Sequence, residues 1–210
     1  MRNVIPFFVF AVAAMLAPEA ALAHHVMGGG VPDTLLAGLL SGLGHPIIGV
    51  DHFAFIVAVG VAAVFTPRPY LSPLAFIVAT VAGCLIHIAG VALPLPEVVI
   101  AASIVVLGAL ILSGRAVSPG LYLATFALAG LFHGWAYGAG IIGAEATPLV
   151  AYVIGFAAIQ YGIAVAAGAV VARLWRAMDS SAVKPRLAGA VVAGVGAAFL
   201  IENVEALFFG

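Results

Sequence analysis

Charge is what this chain has least of. Lys, Arg, Asp and Glu make up 7% of its residues, against about 25% in a soluble domain. That excludes a protein wrapped in its own hydrated polar shell. The formal net charge is −1, so there is no basic surface to hold a nucleic acid. Cysteine is nearly absent as well. Cys84, the single one, lies in an apolar run, which rules out a disulfide framework and a thiolate metal site. No Walker A stretch occurs, so the chain carries no phosphate cradle for ATP hydrolysis.

What is present is apolar sequence. Sixty-five per cent of the residues are hydrophobic, gathered in runs long enough to cross a bilayer. An all-α protein of the bacterial inner membrane is expected. At the N-terminus, Arg2 precedes an apolar run over 4–16 and the triplet Ala21-Leu22-Ala23. That is the layout of a signal peptide, residues 1–23, removed after Ala23. Residues 24–33 would then form a periplasmic tail, and 34–210 one transmembrane domain. Six spans are expected in it, over about 35–65, 71–93, 98–113, 122–142, 148–175 and 187–209, broken by proline, glycine and polar punctuation.

The basic residues set the orientation. Export of the mature N-terminus puts the loops after spans one, three and five in the cytoplasm. Arg68, Arg115, Arg173, Arg176, Lys184 and Arg186 all fall in or beside those loops, as the positive-inside rule requires. The outer loops carry Asp33, Glu97 and Glu145 instead. With both ends outside, an inverted 3+3 repeat is geometrically open. The polar, glycine-broken spans, first and fourth, hold corresponding places in the two halves.

The chemistry gathers in Gly42-Leu43-Gly44-His45-Pro46-Ile47-Ile48-Gly49-Val50-Asp51-His52. Ionisable groups inside a membrane span are costly and mark a functional path. His45 and His52 are seven residues apart, nearly on one face, but about 10 Å apart along a straight helix axis. Pro46 removes a backbone donor, and Gly44 and Gly49 loosen the helix around it. A broken span that draws the side chains together is therefore expected. A second motif, Phe132-His133-Gly134-Trp135-Ala136-Tyr137-Gly138, sits in the fourth span, with Gly134 as the break expected there. His87 and Glu145 fall near the outer mouth, and Glu202 and Glu205 on the outer part of the sixth span, so the polar groups form an outward-leaning funnel. His24 and His25, at the mature terminus, are placed to collect metal.

Imidazoles with carboxylates suit borderline divalent ions such as nickel, cobalt or zinc. Without ATP hydrolysis, an inside-negative potential can drive entry. A divalent cation gains about 4.6 kcal/mol per 100 mV, worth an accumulation on the order of a thousandfold. His45-Pro46-x-x-Gly49-x-Asp51-His52, followed by Phe132-His133-Gly134-x-Ala136-x-Gly138, resembles the HupE/UreJ family of hydrogenase and urease accessory proteins. The resemblance covers essentially the whole chain. It implies a nickel or cobalt permease serving metalloenzyme maturation, with His45, Asp51, His52 and His133 as the metal site. The metal would be cargo, with no cofactor permanently bound and the lipid bilayer as the other partner. Trp135 and Tyr137 stand where more His-rich members carry imidazoles, and the acid after the motif comes late, at Glu145. An intramembrane metal-dependent hydrolase, with Asp51 activating a metal-bound water, is the alternative use of the same cluster. A haem-binding electron carrier would need paired axial histidines, for which His45 or His52 against His133 qualify.

Overall fold

The computed structural model describes residues 30–209. The signal-peptide stretch and the pair His24 and His25 lie outside them. Among the described residues the chain is helical, without strands. In chain order the helices are α1 (Leu35–Ile48), α2 (Val50–Ala63), α3 (Leu74–Ile88), α4 (Pro96–Ser113), α5 (Pro119–Ala139), α6 (Ala146–Ala169) and α7 (Val183–Phe209). A π-helical turn, Val170–Leu174, extends α6.

Local chemistry sets the helix ends. Thr34 caps α1 by accepting the Ala37 N–H at 3.1 Å, and Ser118 caps α5 through Leu121 at 3.2 Å. Such caps contribute about 1 kcal/mol each. Pro96 and Pro119 open α4 and α5, where the missing N–H would have had no intrahelical partner. Gly114 closes α4 with φ +65°, and Arg186 donates from Nε to the Leu112 carbonyl at 3.0 Å. A cation at a helix C-terminus meets the negative end of the dipole there.

The stretch 35–63 is broken, as α1 and α2 meet at 80°. The break lies at Gly49, whose ψ of 104° is extended. Pro46, expected at the break, is instead held inside the last turns of α1. The fourth span departs from expectation more clearly. α5 is one continuous helix through Gly134, because the glycines there serve close packing. A Cβ on Gly134 would strike the Thr80 backbone of α3, and one on Gly130 the Phe76 carbonyl.

The same device joins the other helices. Gly38 and Gly42 of α1 lie against the backbones of Pro148 and Tyr152 of α6. Gly60 of α2 lies against Ala164, and Gly108 of α4 against Gly189 and Ala193 of α7. Small residues let membrane helices approach to backbone distance, where dispersion and weak hydrogen bonds act without a hydrophobic drive. The register of these contacts also gives direction. α1 and α2 together run alongside α6 in the same sense, α3 runs with α5, and α4 runs against α7. α2 is the centre, touching α4, α5, α6 and α7. From Phe55 to Val64 nearly every side chain on it is buried, as an all-apolar helix in a bundle requires.

This is a membrane protein by its helices. α4, the stretch Ala146–Leu174 and α7 are each long and apolar enough to cross a bilayer, and α1 with α2 makes a fourth if the bent pair is one span. α3 is a shorter apolar helix. The loops carrying the basic residues gather at one end. Phe65, Ala116, Val117 and residues 178–180 line a common cleft, and Ser180 donates to the Gly114 carbonyl at 3.3 Å. In that cleft the Ser181 backbone N–H, and then its hydroxyl, hold the Asp179 carboxyl below its ordinary value.

Candidate metal site

The bend at Gly49 brings His45, from the end of α1, to His52, from the first turn of α2. Their ring centroids are 6.0 Å apart. Asp51 shares that first turn, where the positive end of the helix dipole favours a carboxylate. All three side chains are buried, Asp51 the least, with 7% of its surface exposed. A buried carboxylate beside imidazoles, away from any Lys or Arg in the sequence, is an arrangement that favours a cation.

α5 supplies the opposite wall. His133 Nδ1 lies 2.8 Å from His52 Nδ1, and its Nε2 lies 3.1 Å from the Ser103 hydroxyl on α4. Phe55 and Phe76 pack around its ring, with centroids 4.6 and 5.8 Å away. Both nitrogens of His133 are thus engaged within the protein, and the ring braces His52 from the α5 side. One turn further on, Tyr137 lies between the two other rings, 5.0 Å from His45 and 4.7 Å from His52 by centroids. Its hydroxyl is buried and has no hydrogen-bond partner among the described residues. From α6, Tyr152 donates to the Tyr137 carbonyl at 2.8 Å and reaches His45 Nδ1 at 2.9 Å.

Among the described residues no group of three or more His, Cys, Asp and Glu is arranged to hold a metal ion. His45, His52, Asp51 and the phenol of Tyr137 are the polar groups that the bend gathers into one buried cluster. Ser103, Tyr137 and Tyr152 are the parts that the sequence reading did not assign. Tyr137 was visible as a departure within the second motif, whereas Ser103 and Tyr152 carry no local signal beyond a hydroxyl in an apolar run.

The other expected residues fall elsewhere. His87, at the end of α3, stacks on Trp135 with centroids 3.9 Å apart and hydrogen-bonds its carbonyl through Nδ1. Trp135 in turn donates from Nε1 to the Val91 carbonyl at 2.8 Å. Glu145 is exposed at the N-cap of α6, and Glu202 and Glu205 are exposed near the end of α7. These acids lie outside the buried cluster.

Protein HupE of Rhizobium leguminosarum bv. viciae is 31% identical to this chain over 178 residues, covering 78% of this chain and 85% of the relative. No solved structure matches. The family described as HupE / UreJ protein matches residues 12–199, nearly the full length. The chain belongs to the HupE/UreJ family.

Proposed function

We propose that the chain is a permease that admits nickel or cobalt through the bacterial inner membrane for metalloenzyme or cofactor maturation. The observation that carries this reading is the convergence of His45, Asp51 and His52 at a break inside an apolar stretch, with Tyr137 and His133 closing the far side. Borderline divalent ions suit imidazole donors, and a nearby carboxylate offsets their charge. Membership in the HupE/UreJ family supports the same cargo.

The proposed architecture is a cleaved signal, a periplasmic N-terminus and six alternating spans, with α1 and α2 as one. The helix directions support it, because α1–α2 parallel to α6, α3 parallel to α5, and α4 antiparallel to α7 are what alternation demands. They also support an inverted 3+3 repeat. Exchanging spans one to three with four to six maps the pair one-five onto four-two, and the pair three-six onto itself. Under that exchange the spans carrying His52 and His133 are counterparts, and the two rings meet through Nδ1 of each.

Purified protein in liposomes, given nickel or cobalt with and without an inside-negative potential, tests the function. Metal entry that the potential accelerates is expected. Equal entry in protein-free liposomes would overturn the proposal.

A further inference from the structure

We propose that Ser103 and Tyr152 are positioning residues that lock His52 and His45 into one shared tautomer, hydrogen on Nδ1 and lone pair on Nε2. The inference deepens the permease reading and rests on it only for its purpose. It follows from counting protons along two chains of hydrogen bonds.

The first chain begins at Ser103. A hydroxyl has one proton to donate, and that of Ser103 goes to the Ile100 carbonyl, 2.6 Å away. Its oxygen can then only accept from His133, so His133 carries hydrogen on Nε2. A neutral imidazole has one N–H, which leaves the Nδ1 of His133 bare. The 2.8 Å contact between the two Nδ1 atoms then requires His52 to donate. His52 is protonated on Nδ1, and its Nε2 holds the lone pair.

The second chain begins at Tyr152 and shares no atom with the first. Its proton goes to the Tyr137 carbonyl at 2.8 Å, since a carbonyl cannot donate. The contact of 2.9 Å with His45 Nδ1 therefore has His45 as donor. His45 too is left with its lone pair on Nε2. Two independent hydroxyls, from α4 and α6, thus impose the same state on the two histidines that flank the break. A metal binds the bare nitrogen of imidazole, and the partner on the other nitrogen fixes ring orientation and donor strength. Ser103 acts on His52 through His133, so losing one hydroxyl shifts protons across two rings.

The test needs no transport. Protein labelled with nitrogen-15 in histidine, metal-free and in detergent at mildly alkaline pH, reports each tautomer by its nitrogen shifts and two-bond proton couplings. Single histidine replacements assign the signals. Hydrogen on Nδ1 in both His45 and His52 is expected. Ser103→Ala should mix the tautomers of His133 and His52 and leave His45 alone, whereas Tyr152→Phe should do the reverse. Ser103→Thr, which keeps the hydroxyl, should restore the pattern. Nickel binding by the same samples should weaken about 10- to 100-fold in the two hydroxyl-free variants, the scale for lost partners of metal-ligating histidines. Hydrogen on Nε2 of His45 or His52 in the unaltered protein, or tautomers indifferent to both substitutions, would overturn the lock. The expected tautomers in a protein that moves no metal would uphold the lock and overturn the permease reading instead.

Discussion

Asp51 is the only acid among the buried polar side chains of the described residues, and its charge is the feature most open to test. Asp51→Asn keeps the shape and removes the charge. Metal uptake should fall about tenfold or more, since about 1.4 kcal/mol of lost ion stabilisation is a factor of ten. The amount of protein in the membrane should not change, which quantitative immunoblotting of the membrane fraction checks. Uptake at the original rate in that variant would remove Asp51 from the site. His52→Ala and His133→Ala should act on one step, because the two rings share a hydrogen bond. The double variant should be scarcely worse than either single one in an uptake assay, as coupled neighbours fail to add. Acid has a definite sign as well. Imidazolium has no lone pair for a metal, so uptake at subsaturating metal should decline as pH falls. Vesicles with the proton gradient collapsed isolate that effect, and a rise in uptake would remove the histidines from the ligand set.

Helix contacts at backbone distance give the next prediction. In Gly134→Ala the new methyl meets the backbone of Thr80, which cannot turn aside as a side chain can. α3 and α5 should separate, at about 1–3 kcal/mol, and His133 moves with α5. A lower thermal midpoint in detergent and weaker uptake are expected together. Gly162 of α6 has open space around it, so Gly162→Ala is the control and should match the parent protein. Equal behaviour of the two variants would mean that the α3–α5 contact is not under this constraint. The element scale is also where the sequence could be read and where it could not. His45, Asp51 and His52 stood out because ionisable groups interrupt an apolar run, and the run itself announced a helix. Gly134 misled because a glycine that breaks a helix and one that admits a neighbour look alike in one sequence. The difference lies in Thr80, more than fifty residues away. Of Pro46 and Gly49, both expected to break the span, Gly49 is where the direction changes, and a Cβ there would meet the His52 ring. Ser103 and Tyr152 had no signal because a hydroxyl in an apolar helix gains meaning only from the ring it touches.

At the scale of the whole molecule, the clustering of the basic loops at one end predicts sidedness. Reporter domains fused at Asp179 should be active only in the cytoplasm, and those fused at Gly210 only outside. Finding the Asp179 fusion outside would invert the proposed path of the metal. The exposed surface of the bundle is studded with Leu, Val and Ile, including Val78, Leu128, Val191 and Leu207, as lipid contact requires.

The central place of α2 bears on how the protein is made. α2 is the second helix in chain order, yet among the helices that enclose it are α6 and α7, the last to leave the ribosome. Until they arrive α2 is only partly enclosed, by α4 and α5, and an acid at mid-bilayer costs about 2.5–3.5 kcal/mol. An unfinished copy therefore exposes to lipid, or to the machinery that patrols it, the same carboxylate that the finished copy conceals. Chains truncated before Ala146 should be degraded faster than full-length ones, and Asp51→Asn should slow that loss in a pulse–chase measurement. The residue expected to attract the ion would then also distinguish complete molecules from incomplete ones.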